Sequence, residues 1–403
     1  MKIIFHREKR HRDVFNILLI WEILLVVPFL LQYIGIEIFH AYSSQYGMII
    51  AVLMLFRVVM VNKTIQSKNI ITIMLLVVVQ LLTVAYNGTI SSLMLSLAEV
   101  VMVYLFVEGL VYYSCSIDGV EKLWKSLMVI ALLLCLLNFF INGMNVFFFW
   151  QTKGSMYSAA LSSVFSNKNT WGQFLFPICI ISFFSLMQTK RIRYVVITGV
   201  LVWNLISSFS RTSLFCFLIF VLVFILLYKR WGIKKNIGLI LVGLIVIYIS
   251  NLPKVKYFVD SFYVIKDSSF TGRSSLWAIG LYVFNKHPLL GIGMGKSPTV
   301  LMQYTSVGEF HSGYIEILVA GGILKFLIFF YIMISSFWYA YKVFKFNRMY
   351  GSFCISFWIT FFIYMFFESF QIFGRSLTTL IPTFLMITFP RILYNNFYNG
   401  GKI

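Results

Sequence analysis

Charged residues are scarce in this sequence. Asp, Glu, Lys and Arg together supply 11% of its 403 residues, while 60% are hydrophobic and the mean hydropathy is +0.89. Water-soluble domains take about a quarter of their residues from these four types. The chain cannot build a water-facing surface of normal size, so lipid must cover much of it. We therefore predict an all-α integral membrane protein, with residues 1–403 forming a single membrane domain.

Acidic residues are scarcer than basic ones. The chain has 13 Asp and Glu against 33 Lys and Arg, a formal net charge of +20. In a soluble protein this excess would indicate nucleic acid, but no basic stretch alternates with aromatic residues in a polar domain. In a membrane protein, basic residues accumulate in the cytoplasmic loops and set the orientation. We therefore expect membrane lipid, and not nucleic acid, around this chain.

Cysteine is also scarce, and the chain has five. All but the first lie inside apolar runs, and no two have the spacing of metal ligands. This excludes a disulfide framework and argues against a metal site. We expect small apolar packing residues at Cys115, Cys135, Cys179, Cys216 and Cys354.

Long hydrophobic runs are abundant. A membrane-spanning helix needs about 20 apolar residues, and twelve runs approach or exceed this length: 14–31, 46–61, 70–86, 93–113, 124–141, 171–187, 194–210, 212–228, 237–251, 311–334, 351–370 and 376–390. The basic segment Lys2–Arg12 precedes the first run, which has no small-x-small cleavage site, so we predict an uncleaved first helix. Basic residues concentrate on one side of the resulting bundle of about twelve helices when both termini are cytoplasmic.

Two segments on the outward side are long, about 142–170 and about 252–310, and these loops offer room for an active site. In the second, residues 273–285 carry a helical apolar stripe that Lys286, His287 and Pro288 bring to an end. This pattern predicts an amphipathic helix at the membrane surface. Its stripe consists of Leu276, Trp277, Gly280, Leu281 and Phe284.

Some charged residues fall inside the apolar runs, which is costly in lipid. They are Glu22, Glu99, Glu108 and Lys325, with Arg57 near the end of a run. They could line a proton or ion pathway, as in a transporter, or form neutralised structural pairs. Their scattered positions favour structural pairs.

Three polar side chains stand out on the outward side. Arg211 lies among serines and a threonine in Ser207–Ser213, where a guanidinium can grip an anion or reach lipid headgroups. Arg273 begins the predicted surface helix, where a helix terminus adds to an anion site, although a solvated loop arginine would look the same. His311 opens the tenth helix and could accept a proton from a hydroxyl or serve a structural role.

These residues fall in motifs that resemble one family, the O-antigen ligases and polysaccharide polymerases (Wzy) of bacterial envelopes. Ser208-Phe-Ser-Arg211 is similar to its Ser-Arg-small motif. Thr271-Gly-Arg273-Ser-Ser-Leu-Trp277, followed by Pro288-Leu-Leu-Gly-Ile-Gly293, is similar to its Gly-Arg-x-x-x-Trp and Pro-Leu-x-Gly-x-Gly. His311-Ser-Gly-Tyr, with Gly321-Gly-Ile downstream, is similar to its His-Asn-x-Tyr and Gly-Ile, with Ser312 in place of the usual Asn. Asn167-Lys-Asn169 is a weaker match to its Asn-x-Asn.

The resemblance implies transfer of a glycan from a polyprenyl diphosphate to an acceptor hydroxyl, on the outer face of the bacterial cytoplasmic membrane. Arg211 and Arg273 would stabilise the leaving diphosphate, and His311 would be the general base. The chain has four aspartates and no Asp-x-Asp pair, so the two arginines would stand in for a metal, and no cofactor is expected. Asn169, Trp277 and Glu316 would bind substrate, with Glu316 orienting or charge-tuning His311. By family analogy the transfer inverts the anomeric centre.

The resemblance leaves open which step of glycan assembly the protein carries out. A polymerase that joins repeat units of capsule, exopolysaccharide or O-antigen is the first interpretation, and a ligase that moves a finished glycan is the second. A lipid-linked oligosaccharide flippase or transporter is the alternative from another class. A flippase and a chain-length regulator are the protein partners that a polymerase would imply.

Overall fold

The computed structural model describes residues 67–87, 89–113, 117–148, 161–165, 167–229, 269–374 and 376–400, with isolated positions between 23 and 56. The predicted runs at 14–31, 46–61 and 237–251, the beginning of the segment 252–310, and Glu22, Arg57 and Cys115 lie outside this description. Every regular element in the described part is helical, as predicted.

The long helices coincide with the nine predicted apolar runs that fall in the described part. The helices are α1 (Ser67–Asn87), α2 (Ile90–Tyr104), α3 (Ile117–Asn142), α4 (Lys168–Thr189), α5 (Ile192–Ser207), α6 (Arg211–Tyr228), α7 (Ser269–Lys286), α8 (Ser297–Leu301), α9 (Gly313–Phe346), α10 (Arg348–Phe367), α11 (Leu377–Thr383) and α12 (Phe389–Gly400). Helix α2 continues through a π-helical turn (Leu105–Gly109) and a last α-helical turn (Leu110–Tyr113). A second π-helical turn (Phe384–Thr388) joins α11 to α12. Among the described residues, seven helices are long and apolar enough to cross a membrane.

Polar residues begin several of these helices by accepting hydrogen bonds from the exposed N–H groups of the first turn. Thr89 accepts from the Ser92 N–H and begins α2, and Asn167 accepts from the Asn169 N–H and begins α4. Asn347, between α9 and α10, accepts from two N–H groups of α10. Such caps satisfy groups that would otherwise be unpaired in a low-dielectric surrounding.

Large apolar side chains lie on the outside of the helices. On α3, one stripe at spacings of three and four is more than half exposed and consists of Val129, Leu133, Leu136 and Phe140. A water-soluble helix would turn such a stripe towards its core. Lipid is therefore the solvent of this surface, and the protein is a multi-pass membrane protein.

The helices form two compact units. The first contains residues up to Ile130 and from Arg273 to the end, and α9 lies at its centre, packed against α1, α10 and α12. The second runs from Ala131 to Gly272 and is built around α4, which packs against α5 and α6. The prediction of a single membrane domain stays a prediction.

A break interrupts α9 at Gly322, whose φ of 66° and ψ of −169° are open to glycine alone. The segment that follows α7 fills the break with its own backbone. The N–H groups of Ile292 and Gly293 donate to the carbonyls of Val319 and Ala320, at 2.8 and 3.0 Å. On the other side of the break, the Ile323 N–H donates to the Pro288 carbonyl at 2.8 Å. Backbone groups that the helix cannot pair are thus paired by the loop.

Close approach of the two backbones requires glycine on both sides. A Cβ on Gly322 would lie 2.3 Å from the Leu289 carbonyl, and one on Gly291 would lie 2.5 Å from the Val319 carbonyl. The segment Pro288–Gly293 therefore turns against a helix of its own chain. The predicted tenth span is one helix in two parts.

The charged residues inside the apolar runs are paired. Lys325, just after the break, contacts Glu99 of α2 at 2.8 Å, and both side chains are buried. Gln80 donates to the same carboxylate, and the Lys325 ammonium also contacts the Met294 sulfur at 2.8 Å. Glu108 accepts from Asn69. The structure agrees with the prediction of a neutralised pair for Glu99 and Lys325.

We expect Gly322→Ala to destabilise the protein by about 1–3 kcal/mol, because alanine strains this backbone conformation and its Cβ meets the Leu289 carbonyl. Thermal unfolding in detergent measures the effect as a lower Tm.

Gly199→Ala is the matched control for this loss. Gly199 lies in α5 with nothing within 4 Å of an added Cβ, so alanine should leave the Tm unchanged or raise it, since glycine inside a helix costs about 0.5–1 kcal/mol relative to alanine. Equal Tm values for the Gly322→Ala variant and the wild type would show that the break does not depend on glycine.

Candidate functional site

His311 lies in the loop just before α9, two residues ahead of its first helical residue, Gly313. Ser312 is the N-cap of the helix, so His311 precedes the helix and does not open it as predicted. The backbone of His311 adopts a φ of 51°, in the left-handed region. Among residues other than glycine this conformation is uncommon and costs free energy, and such strain clusters at functional sites.

Arg273 lies on α7, which begins at Ser269. The prediction that Arg273 begins this helix is therefore wrong by one turn, and the free N–H groups of the helix terminus precede it. Its guanidinium instead forms an ion pair with Glu368, with 3.3 Å between Nη2 and Oε1.

Glu368 connects the guanidinium to the start of α9. It follows the last residue of α10, and its carboxylate is buried. Its backbone carbonyl accepts a hydrogen bond from the Gly313 N–H at 2.9 Å. One residue thus holds Arg273 through its side chain and the segment after His311 through its backbone. Sequence reasoning missed Glu368, although it is the lone charge in the apolar and aromatic stretch Phe366–Phe370.

Packing of α7 explains why Arg273 comes close to His311. Leu276 and Val283 of α7 are buried with Phe310 and Ile315, which flank the start of α9. Gly280 lies so close to Ile315 that an added Cβ would approach it to 2.3 Å. The helix ends at Lys286, as predicted, but its buried stripe includes Val283 and leaves Leu281 47% exposed. Its location at the membrane surface stays a prediction.

Burial and the nearby Arg273 both disfavour the protonated imidazole of His311. The pKa of His311 lies below its usual value of 6.5, because burial disfavours the charged form and the positive charge of Arg273 repels a second one. A neutral imidazole can accept a proton at neutral pH.

Glu316 holds the loop that carries His311. Its Oε1 accepts a hydrogen bond from the Phe310 N–H at 3.0 Å and lies 3.5 Å from the Ser369 hydroxyl. The predicted orienting role towards the imidazole finds no direct contact in the described structure. The carboxylate that lies near the imidazole is Glu309, with 3.9 Å between its Oε2 and His311 Nδ1.

Trp277 lies one helical turn after Arg273, on the same face of α7. Its ring packs near Phe367, with 6.4 Å between centroids, next to Glu368. Within the described residues the buried indole N–H has no hydrogen-bond partner. A buried donor without a partner is costly and can be satisfied by a ligand.

The second unit contains the other two predicted residues. Arg211 is the first residue of α6, is exposed, and follows a tight corner in which Phe209 has a φ of 52°. The corner serines make bonds of their own: the Ser208 hydroxyl donates to the Leu205 carbonyl at 2.7 Å, and the Ser210 hydroxyl donates to that of Ser213 at 2.9 Å. These two hydroxyls stabilise the corner that precedes Arg211.

The Asn-x-Asn motif lies beside Arg211 in the second unit. Asn167 caps α4, and Asn169, half-buried, lies in its first turn. Lys168 stands between them, close enough to Arg211 for the two positive charges to interact. Two helix N-termini and two cations therefore belong to this end of the unit, a combination that favours anions. Sequence reasoning missed Lys168, although it lies inside a motif that the resemblance singled out.

Comparison with known proteins supports the resemblance. Residues 195–330 match the family model described as O-Antigen ligase, a segment that includes Arg211, Arg273 and His311. No curated protein matches the chain. Residues 195–330 of this multi-pass membrane protein are thus similar to the family that the motifs indicate. Members of this family are glycan-transferring enzymes.

We expect Glu368→Ala to lower the free energy of unfolding by about 1–3 kcal/mol, because Arg273 would lose a buried counter-ion. The double variant with Arg273→Ala should lose less than the sum of the single variants, with a coupling of about 0.5–3 kcal/mol. Thermal unfolding of all four proteins in detergent measures the cycle. Strict additivity would show that the ion pair does not contribute to stability.

Proposed function

We propose that the protein is a glycosyltransferase that joins oligosaccharide repeat units carried on polyprenyl diphosphate, at the outer face of the bacterial cytoplasmic membrane. The observation that carries the proposal is the charged guanidinium of Arg273, anchored by buried Glu368 beside an imidazole kept neutral by its surroundings. The guanidinium can stabilise a leaving diphosphate, and the imidazole can accept the proton of an attacking hydroxyl.

His311 is the general base in this proposal. An acceptor sugar hydroxyl gives its proton to the imidazole as its oxygen attacks the anomeric carbon of the donor. The new glycosidic C–O bond forms while the bond from that carbon to the diphosphate breaks. Attack from the side opposite the leaving group inverts the anomeric centre. The lowered pKa of His311 keeps its neutral, proton-accepting form available at neutral pH.

The leaving diphosphate gains negative charge as the bond breaks, and cationic groups positioned in advance stabilise that charge. Arg273 offers a guanidinium with only Nη2 directed to Glu368 in the recorded ion pair. The Trp277 N–H, one turn along the same helix face, is available as a further donor. Arg211, with Lys168 near it, is the proposed second cation, and Asn169 a substrate-binding residue.

A ligase that transfers a finished glycan is the second candidate, favoured by the description of the matching family model. The chemistry at the donor would be the same, and only the acceptor would differ. A transporter is less well supported, because the buried charges Glu99 and Lys325 neutralise each other within one ion pair.

We predict that Arg211→Ala, Arg273→Ala and His311→Ala each abolish glycan transfer while the protein remains in the membrane. General acid–base groups contribute about 10²- to 10⁴-fold to rates, and loss of a diphosphate clamp has an effect of similar size. The measurement is elongation of lipid-linked repeats by purified protein in detergent. Near-normal chain length in all three variants would contradict the site assignment.

Deleting the gene distinguishes a polymerase from a ligase. Without a polymerase, cells should retain single repeat units, whereas loss of a ligase should leave long unattached chains. A normal glycan profile in the deletion strain would contradict both activities. Transfer in detergent, where there is no membrane to cross, would exclude a flippase.

The pH dependence follows from the lowered pKa of His311. A base must be neutral to act, so the rate should fall as pH decreases through this pKa and stay level above it. Since the pKa lies below 6.5, the acidic limb of kcat/KM should lie below pH 6.5. A limb above that value would show that a different group controls the rate.

A further inference from the structure

We propose that Glu309 is the positioning residue of His311: its carboxylate accepts a hydrogen bond from Nδ1–H and thereby leaves Nε2 as the proton acceptor. This inference rests on the proposed function and deepens it. Its starting point is the 3.9 Å between Glu309 Oε2 and His311 Nδ1, within the loop that leads into α9.

The first support is the surroundings of His311 Nδ1. Nδ1 of His311 is buried and has no hydrogen-bond partner among the described residues. Buried polar atoms are nearly always paired, and an exception at a strained residue needs an explanation. The Glu309 carboxylate is an acceptor within reach of this nitrogen.

The second support is that the carboxylate can move. The Glu309 side chain is 64% exposed, in contrast to 27% for His311. A shift of about 1 Å would bring the two atoms to hydrogen-bond distance, and catalytic hydrogen bonds are often long before substrate binds. The other acidic side chains nearby are committed, Glu368 to Arg273 and Glu316 to the Phe310 N–H. Among the described residues near His311, Glu309 is the carboxylate that remains available to the imidazole.

The charges that face His311 act in opposite directions. Burial and Arg273, on α7, disfavour the imidazolium, whereas a carboxylate at Nδ1, as proposed for Glu309, favours it. Glu368, at the end of α10, pairs with Arg273, and Glu316, on α9, accepts from the Phe310 N–H. Glu309 thus makes His311 a stronger base as the acceptor proton arrives. The proton moves from the acceptor hydroxyl to Nε2, Nδ1 keeps its own, and the carboxylate remains ionised and stabilises the imidazolium.

The test compares Glu309→Asp, Glu309→Gln and Glu309→Ala in the full-length protein. Gln keeps an acceptor without the charge, and Ala loses both. We expect kcat to fall in the order Asp, Gln, Ala, by about 10- to 100-fold for Ala, which is less than the loss expected for His311 itself. KM for the lipid-linked donor should change little, and the acidic limb should move to lower pH for Gln and Ala, because a negative charge near the imidazole is lost.

A second readout needs no glycan substrate. The ¹⁵N spectrum of histidine-labelled protein in detergent, with the signal of His311 identified by its loss in His311→Gln, reports which ring nitrogen carries the proton. We expect protonated Nδ1 in the wild type and in Glu309→Gln, and a mixture of tautomers in Glu309→Ala. Asp118→Asn, which removes an exposed carboxylate from the first turn of α3, is the matched control and should change neither the spectrum nor the rate.

The two readouts separate failure of this inference from failure of the proposed function. If the wild type transfers glycan and Glu309→Ala leaves the tautomer, the acidic limb and kcat unchanged, the role of Glu309 is overturned and the proposed function stands. If no transfer is found but the tautomer depends on Glu309, the proposed function fails while the contact is supported. A fall in kcat with an unchanged tautomer and limb would also overturn the role, because it would indicate a structural effect.

Discussion

Pairing of backbone groups inside lipid is the constraint on which this structure depends. A helix that breaks in the membrane exposes carbonyl and N–H groups that no water can satisfy, at a cost of several kcal/mol each. Here the chain supplies its own partners: Pro288–Gly293 lies against the break at Gly322 and pairs with groups on both sides of it. The break turns a long apolar helix into two parts, and the part before it begins beside His311.

The segment Pro288–Gly293 also connects the break to the candidate site. It follows α7, which carries Arg273, so the backbone pairs at Val319 and Ala320 hold α7 beside the first turns of α9. Below the break, Lys325 contacts Glu99 and Met294, and Thr83 of α1 donates to the Leu290 carbonyl at 3.1 Å. The polar groups inside the first unit therefore reinforce one arrangement of loop and helix. The guanidinium and the imidazole are neighbours because of this arrangement, and Glu368 fixes their surroundings further.

Much of the fold could be predicted because lipid makes strong demands on composition. Apolar runs locate helices such as α4 and α10 to within a few residues, and Lys286, His287 and Pro288 indicate the end of α7. Helix starts were predicted less well, since the beginning of α7 at Ser269 has no strong capping signal. The buried stripe of α7 contains Val283 and not Leu281 because of the residues against which α7 packs. Periodicity alone does not predict that packing. The relation of Pro288–Gly293 to Gly322 joins segments distant in sequence, and no local pattern predicts it.

The roles of the candidate site residues stay predictions, whereas their positions can be compared with the structure. Arg273 and His311 lie close to each other, and the positions of the carboxylates were predicted less well. Glu316 was expected near the imidazole but pairs with the Phe310 N–H, and Glu309 and Glu368 were not singled out. Charged groups of this kind act through partners that lie up to about a hundred residues away, as in the pair of Arg273 with Glu368. Sequence order does not contain that information.

The pairing of Pro288–Gly293 with the break at Gly322 uses main-chain atoms, so it restricts the sequence at few positions. It requires residues without a Cβ at Gly291 and Gly322. The exposed side chains of α9, such as Leu327 and Tyr331, are free to change. Bilayers of different thickness and lipid content could thus be accommodated by substitutions along this helix without moving its first turns, which follow His311. A break of this type lets the lipid-facing surface of a helix change while the start of the same helix keeps its position.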